Sequence, residues 1–187
     1  MVRALVLGLG VSLIALAPAA GRAAERQHHL GIAPTASLLR VKGWGFSPGV
    51  GATAMYTYGL TDQFNLMAEA SHAFVGLGQD LQRDVAPSTM NRPSFVTTGG
   101  AGVSYVLDVL RWVPYGGVLL SGNLFGGGTM PSVVASPGAQ LALGLDYQFS
   151  RHFVGGVGFR QHLFFTKLSD YPSYSSLFLK VEWQWGY

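Results

Sequence analysis

The closing stretch Leu177-Phe178-Leu179-Lys180-Val181-Glu182-Trp183-Gln184-Trp185-Gly186-Tyr187 decides the fold. Successive side chains of a β-strand point to opposite faces. Leu177, Leu179, Val181, Trp183, Trp185 and Tyr187 therefore share one face, wholly apolar and ending in aromatics. Phe178, Lys180, Glu182, Gln184 and Gly186 share the other, which is mostly polar.

The same two-residue alternation recurs along the chain. Ala139, Leu141, Leu143, Leu145, Tyr147 and Phe149 oppose Gln140, Ala142, Gly144, Asp146 and Gln148. Phe64, Leu66, Ala68 and Ala70 oppose Asn65, Met67, Glu69 and Ser71. Phe153, Val157, Phe159 and Leu163 oppose Gly156, Gly158, Arg160 and His162. Ala52, Ala54, Tyr56 and Tyr58 alternate with Gly51, Thr53, Met55 and Thr57. A soluble sandwich also has one oily and one wet face. Three features favour a bilayer instead. Aromatics sit at segment ends, where an interfacial belt would lie. The polar face is rich in Gly, Ala, Ser and Thr, which suit a narrow lumen. The segments are long for soluble strands but suited to a tilted crossing.

Composition narrows the classes. Charged residues are 11% of the 187-residue chain and hydrophobic ones 49%; soluble domains average roughly 25% charged. Disorder is excluded by this low polarity. The absence of Cys removes a disulfide scaffold, a catalytic thiol and cysteine-ligated zinc. The net charge is +3 and the 12 basic residues are scattered. No basic stripe offers a nucleic-acid groove.

Residues 1–23 read as a secretory signal peptide and 24–187 as the mature domain. Arg3 is the positive region, Leu5 to Leu16 the apolar run, and Ala17-Pro18-Ala19 and Gly21-Arg22-Ala23 offer small residues for cleavage. An amino-terminal anchor is the alternative, but the run is short for a span of about 20 residues. A later helical span at 103–120 is rejected, because it would hold Asp108, Arg111, Pro114 and Gly116-Gly117.

The alternation places eight strands near 28–39, 49–58, 64–74, 95–106, 112–123, 138–149, 153–163 and 174–187. The connections 59–63, 107–111 and 150–152 are short. Those near 40–48, 75–94, 124–137 and 164–173 are longer, so short and long alternate strictly. Short turns on one side and long loops on the other are the pattern of outer-membrane barrels. The first strand is the least defined: Leu30, Ile32, Ala36 and Leu38 form its lipid face, while Pro34 removes a ladder donor. A register at 36–46, with Arg40, Lys42 and Trp44 inward, is the less favoured alternative.

Two stretches carry a family resemblance: Met55-Tyr56-Thr57-Tyr58-Gly59-Leu60-Thr61-Asp62-Gln63-Phe64-Asn65-Leu66, and the closing Leu177 to Tyr187. With them the mature chain resembles the small eight-stranded outer-membrane barrels of the OmpA/OmpX type. The resemblance implies an all-β, antiparallel up-and-down transmembrane barrel in the outer membrane of a Gram-negative bacterium. The ending, with Trp183, Trp185 and Tyr187, looks like the signal read by the barrel assembly machinery. Outer-membrane lipids and lipopolysaccharide are the expected surroundings. No activity is implied, because members differ in what they do.

The chemistry on offer is thin. Glu69, Asp146, Arg160, His162, Lys180 and Glu182 lie on the polar parity and face inward if the barrel closes. Buried charges must be paired or hydrated. The expectation is a lumen ion-pair network that plugs the barrel, with a narrow polar conduit as the alternative. Ser71-His72 is the only adjacent Ser/His pair, but neighbours on a strand point apart, so an acyl-transfer enzyme is disfavoured. His162 with Ser175 or Ser176 is no better supported. His28-His29 lack a third ligand and read as a solvated segment, not a metal site. Gly126-Gly127-Gly128-Thr129 lacks the Lys of a phosphate loop and reads as a flexible external loop. The connection at 75–94, with Asp80, Arg83, Asp84 and Arg92, is a solvated loop or a recognition surface. The expected protein is a monomer without cofactor or metal, structural or interactive through its external loops.

Overall fold

Alternating apolar and polar residues form strands when every second side chain has a dry surface to meet. The computed structural model describes residues 26–43, 45–76, 91–107 and 111–186, which contain eight strands. They are β1 (His28–Val41), β2 (Gly45–Gly59), β3 (Phe64–Val75), β4 (Phe95–Val106), β5 (Trp112–Gly126), β6 (Val134–Gln148), β7 (Phe153–Phe164) and β8 (Ser173–Trp185). Each pairs antiparallel with its sequence neighbour, and β8 closes on β1, so the sheet has no edge. The proposed signal peptide, Trp44, Asp80, Arg83, Asp84 and Tyr187 lie outside the described residues.

Faces follow the expected parity on β1, β2, β3, β6, β7 and β8. Ile32, Val118, Leu120, Leu179 and Val181 point outward, and Leu120 is 72% exposed. An exterior this apolar is stable only against lipid. The first strand takes the earlier register, with Ile32 opposite Val181 and Leu38 opposite Ser175. Arg40 consequently points outward over the Phe46 ring, 5.6 Å from its centroid. The β1–β8 ladder skips Ala33 and Pro34, where the proline has no N–H to donate.

Strict alternation of short and long connections fails at one place. The first connection at the long-loop end spans only residues 42–44, between Val41 and Gly45. Residues 45–48 and 134–137 read as loop from their Gly and Pro content, yet both are paired strand. The strands run further at this end because their inward residues, Leu39, Val41 and Phe125 among them, pack into a shared cluster. Cross-strand packing there overrides the local turn signal.

Candidate functional site

The candidate site is the lumen, built by the inward parity of all eight strands. At the short-turn end, Lys180 Nζ lies 2.7 Å from Glu182 Oε1 and 2.8 Å from Asp146 Oδ2. His29 Nδ1 meets the other Glu182 oxygen at 3.3 Å. Further along the bore, Arg160 Nε donates to Glu69 Oε2 at 2.9 Å. β7 and β3 stand four strands apart in a ring of eight, so this pair crosses the full width of the barrel. Arg160 is 1% exposed.

Two aromatic rings contact the cations of the ion pairs. The Tyr115 ring centroid lies 4.7 Å from Lys180 Nζ and 5.9 Å from the Arg160 guanidinium. Arg160 also lies 4.8 Å from the Phe178 ring centroid. Gly144 and Gly158 make room for these rings: a Cβ at either would collide with Tyr115 or Phe178. Desolvated cation–π contacts of this kind strengthen the hold on each cation.

Above the Arg160–Glu69 pair lies a hydroxyl and amide layer. Thr98 donates to Asn123 at 3.0 Å, Asn123 to Ser121 at 3.3 Å, and Thr35 pairs with Thr53 at 2.8 Å. Gln140 is 1% exposed, and neither its amide nitrogen nor its oxygen has a partner.

The long-loop end of the lumen corrects the expectation of a polar axis. Leu39, Val41, Val75, Val96, Phe125, Phe164, Tyr171 and Tyr174 fill it as one apolar cluster. Phe125 stacks on Tyr171 at 4.7 Å and meets Phe164 edge-on at 4.9 Å. Tyr171 comes from the β7–β8 connection and reaches the β3–β4 and β5–β6 connections. Its hydroxyl donates to Asn91 O at 3.2 Å and contacts Met130 Sδ at 3.8 Å. Burial, together with the Asp170 carboxylate, holds its phenol above the usual range, so it remains a neutral donor.

Of the six lumen residues singled out, Asp146, Lys180 and Glu182 form one ion cluster, and Arg160 with Glu69 a second. His162 joins neither: its ring tilts against Tyr174 at 4.5 Å, and its Nδ1 has no partner. Trp183 and Trp185 face outward at the short-turn rim, 5.6 Å apart.

The remaining candidates also resolve. Ser71 faces inward and His72 outward, where His72 pairs with Thr97 at 2.8 Å. Ser175 is also outward and donates to Gln161 at 2.6 Å, so it does not serve His162. His28 and His29 are not a solvated lead-in but the start of β1, on opposite faces. His28 stacks on Trp185 at 5.4 Å and bonds Tyr56 at 2.7 Å. Among the described residues, no three His, Asp or Glu side chains converge to hold a metal. Gly126–Thr129 is a docked turn rather than a flexible loop. Thr129 N donates to Arg92 O at 3.0 Å and Arg92 N to Thr129 Oγ1 at 2.9 Å. Gly128 has φ +62, and a Cβ there would meet Arg92 O.

Sequence reasoning missed Tyr115, His29 and the aromatic cluster. The signal was present: Leu39, Val41, Val75, Phe125 and Phe164 share the parity of the inward Ser and Thr residues.

No family model matches the chain, and no curated protein matches it in sequence. Solved structures do resemble it. Neisserial surface protein A superposes with a TM-score of 0.61 at 14% identity, covering 83% of this chain and 96% of that one. Ail, the attachment invasion locus protein of Yersinia pestis, gives 0.58 at 13% identity over 86% of this chain and 99% of its own. The N-terminal β-barrel domain of Pseudomonas aeruginosa OprF gives 0.54 at 14% identity, covering 86% and 98%. At such identities the likeness speaks for the fold. The chain thus shares the closed eight-stranded antiparallel barrel fold of these outer-membrane proteins, the fold that the resemblance to the OmpA/OmpX type implied.

Proposed function

We propose that this barrel is a structural or surface-interaction protein that works through its long-connection end, with its lumen closed to solutes by its own side chains. The observation that carries the reading is the Arg160–Glu69 pair spanning the bore at 2.9 Å. The aromatic cluster beneath the connections supports it, since Phe125 is 0% exposed. The connections themselves are joined into one surface. Lys42 N donates to Asp170 O at 2.9 Å, Tyr171 reaches Asn91 and Met130, and Thr129 clasps Arg92. A rigid scaffold presenting joined loops suits recognition of another surface. One neighbour is named for attachment; a binding role of that general kind fits this end of the molecule.

Assembly would use the outward Trp183 and Trp185 with Tyr187 as the signal for the barrel assembly machinery. Lipopolysaccharide and phospholipid would surround a monomer. Planar-bilayer recording of the reconstituted protein tests the closed lumen: no steady conductance is expected, and regular steps would overturn it.

A narrow pore is the second reading. It is favoured by Gln140, whose unpartnered amide calls for water inside the lumen. A lipid-modifying enzyme fits less well. Ser71 and His72 stand on opposite sides of the wall, so His72 cannot serve the hydroxyl as a base. Labelled phospholipid incubated with the barrel should release no acyl chain.

A further inference from the structure

Two opposite hairpins carry the same spacing on their lipid-facing sides. On β3 and β4, Phe64 pairs with Tyr105, and His72 pairs with Thr97. On β7 and β8, Phe153 pairs with Trp183, and Gln161 pairs with Ser175. In each hairpin an aromatic pair at the short-turn end is followed, eight residues along both strands, by a polar pair. All four polar residues point outward, away from the lumen. His72 Nδ1 and Thr97 Oγ1 are 2.8 Å apart. Ser175 donates to Gln161 Oε1 at 2.6 Å, and Gln161 Nε2 donates to Ser173 Oγ at 3.2 Å.

Eight residues at about 3.3 Å each, tilted by about 40°, span about 20 Å along the barrel axis. That approaches the apolar band of about 25 Å on outer-membrane barrels, in a membrane thinner than average. Aromatic rings mark the boundary at the short-turn end, as amphipathic rings do at headgroup level. Beyond the polar pairs the exterior turns apolar again, with Phe74 58% exposed and Leu163 51% exposed. Arg40, opposite Ser173 on β1, stands at the same upper edge above Phe46.

We propose that His72–Thr97 and Gln161–Ser175–Ser173 form a headgroup contact belt, and that the hydrocarbon of the long-connection leaflet ends there. Its partner is the phosphate-bearing headgroup layer of the surrounding lipid. The belt offers hydroxyl, amide and imidazole groups at one level, and Arg40 supplies the cation that a lipid phosphate would meet. Phe46, Phe74, Phe95 and Leu163 then lie among headgroups rather than acyl chains. The barrel is in effect seated lower than its strand length suggests, with a collar of paired strand standing above the hydrocarbon. The apolar cluster inside that collar supplies it with a core that lipid does not.

The chain has no cysteine, so single nitroxide labels can be placed cleanly. Ala70→Cys and Leu177→Cys sit below the belt; Phe74→Cys and Leu163→Cys sit above it. Each labelled barrel is folded into phosphatidylcholine vesicles, and collision with oxygen is compared with collision with a water-soluble nickel chelate. Oxygen should dominate at 70 and 177, and the ratio should reverse at 74 and 163. Oxygen dominance at all four positions would overturn the belt. Gln161→Leu with Ser175→Leu, in a barrel that still folds, should draw the label at 163 toward the oxygen-rich interior. No shift there would equally overturn it, because a merely structural role for the pair would leave the depth of position 163 unchanged.

Discussion

The two ends of the lumen are filled by opposite chemistry. Toward the short turns, Lys180, Asp146, Glu182, Arg160 and Glu69 meet as ion pairs with almost no exposure to water. Toward the long connections, Phe125, Phe164, Tyr171 and Tyr174 stack as in an ordinary hydrophobic core. Both ends are filled by side chains, but they respond differently to damage. An ion pair loses most when one partner is removed, since the other charge is left buried. An aromatic cluster loses in proportion to the cavity it acquires. The contrast shows that a narrow barrel does not need a polar axis. It needs a filled one, and the filling changes where the wall leaves the hydrocarbon.

The largest effect tests the charged end. Arg160→Ala should cost about 3–5 kcal/mol by stranding Glu69, read as the urea midpoint of the barrel in vesicles. The double variant Arg160→Met with Glu69→Leu should recover most of that loss. If the double were as damaged as the single, the crossing pair would not be the source. At the aromatic end, Phe125→Ala should cost about 3 kcal/mol through its cavity. Unlike the Arg160→Ala loss, it should follow the volume removed, so Phe125→Leu should cost less than Phe125→Ala. Equal losses in these two variants would erase the distinction between the ends.

A smaller effect comes from the outer wall. Leu143→Arg should cost roughly 2–4 kcal/mol and slow assembly, because a cation near the midplane faces lipid. The neighbouring inward change Gln140→Leu should be close to neutral, since it removes an amide without partners. Heat-modifiable gel migration of the two variants checks the assignment of faces; equal losses would break it. The smallest effect is Tyr171→Phe, about 1 kcal/mol for one hydrogen bond. It should loosen the joined connections, seen as faster tryptic cleavage after Lys167 while the barrel still runs as folded.

The wall was readable residue by residue. Leu141, Leu143 and Leu145 alternate with Gln140, Ala142 and Gly144 because lipid and lumen impose opposite demands on neighbours. The ends of strands were less readable. Gly45, Pro48 and Gly49 look like turn residues, yet they pair with Val41, Leu38 and Ser37. Their partners, not their own propensities, keep them extended. Lys180 and Glu182, two apart on one strand face, were readable as neighbours, but which inward residues meet across the bore was not. Arg160 and Glu69 lie 91 residues apart and touch only after the ring closes. His29, near the described start of the chain, reaches Glu182 for the same reason: β1 and β8 are neighbours only in the closed sheet.

From its residues alone, this chain was bound to form tilted strands with an oily outer face, because a period of two leaves every strand one side for lipid. Closure of the sheet then chose the partners across the bore and divided the interior into ionic and aromatic halves. That choice depends on stagger and tilt, which bring distant side chains to one level and which no local pattern encodes.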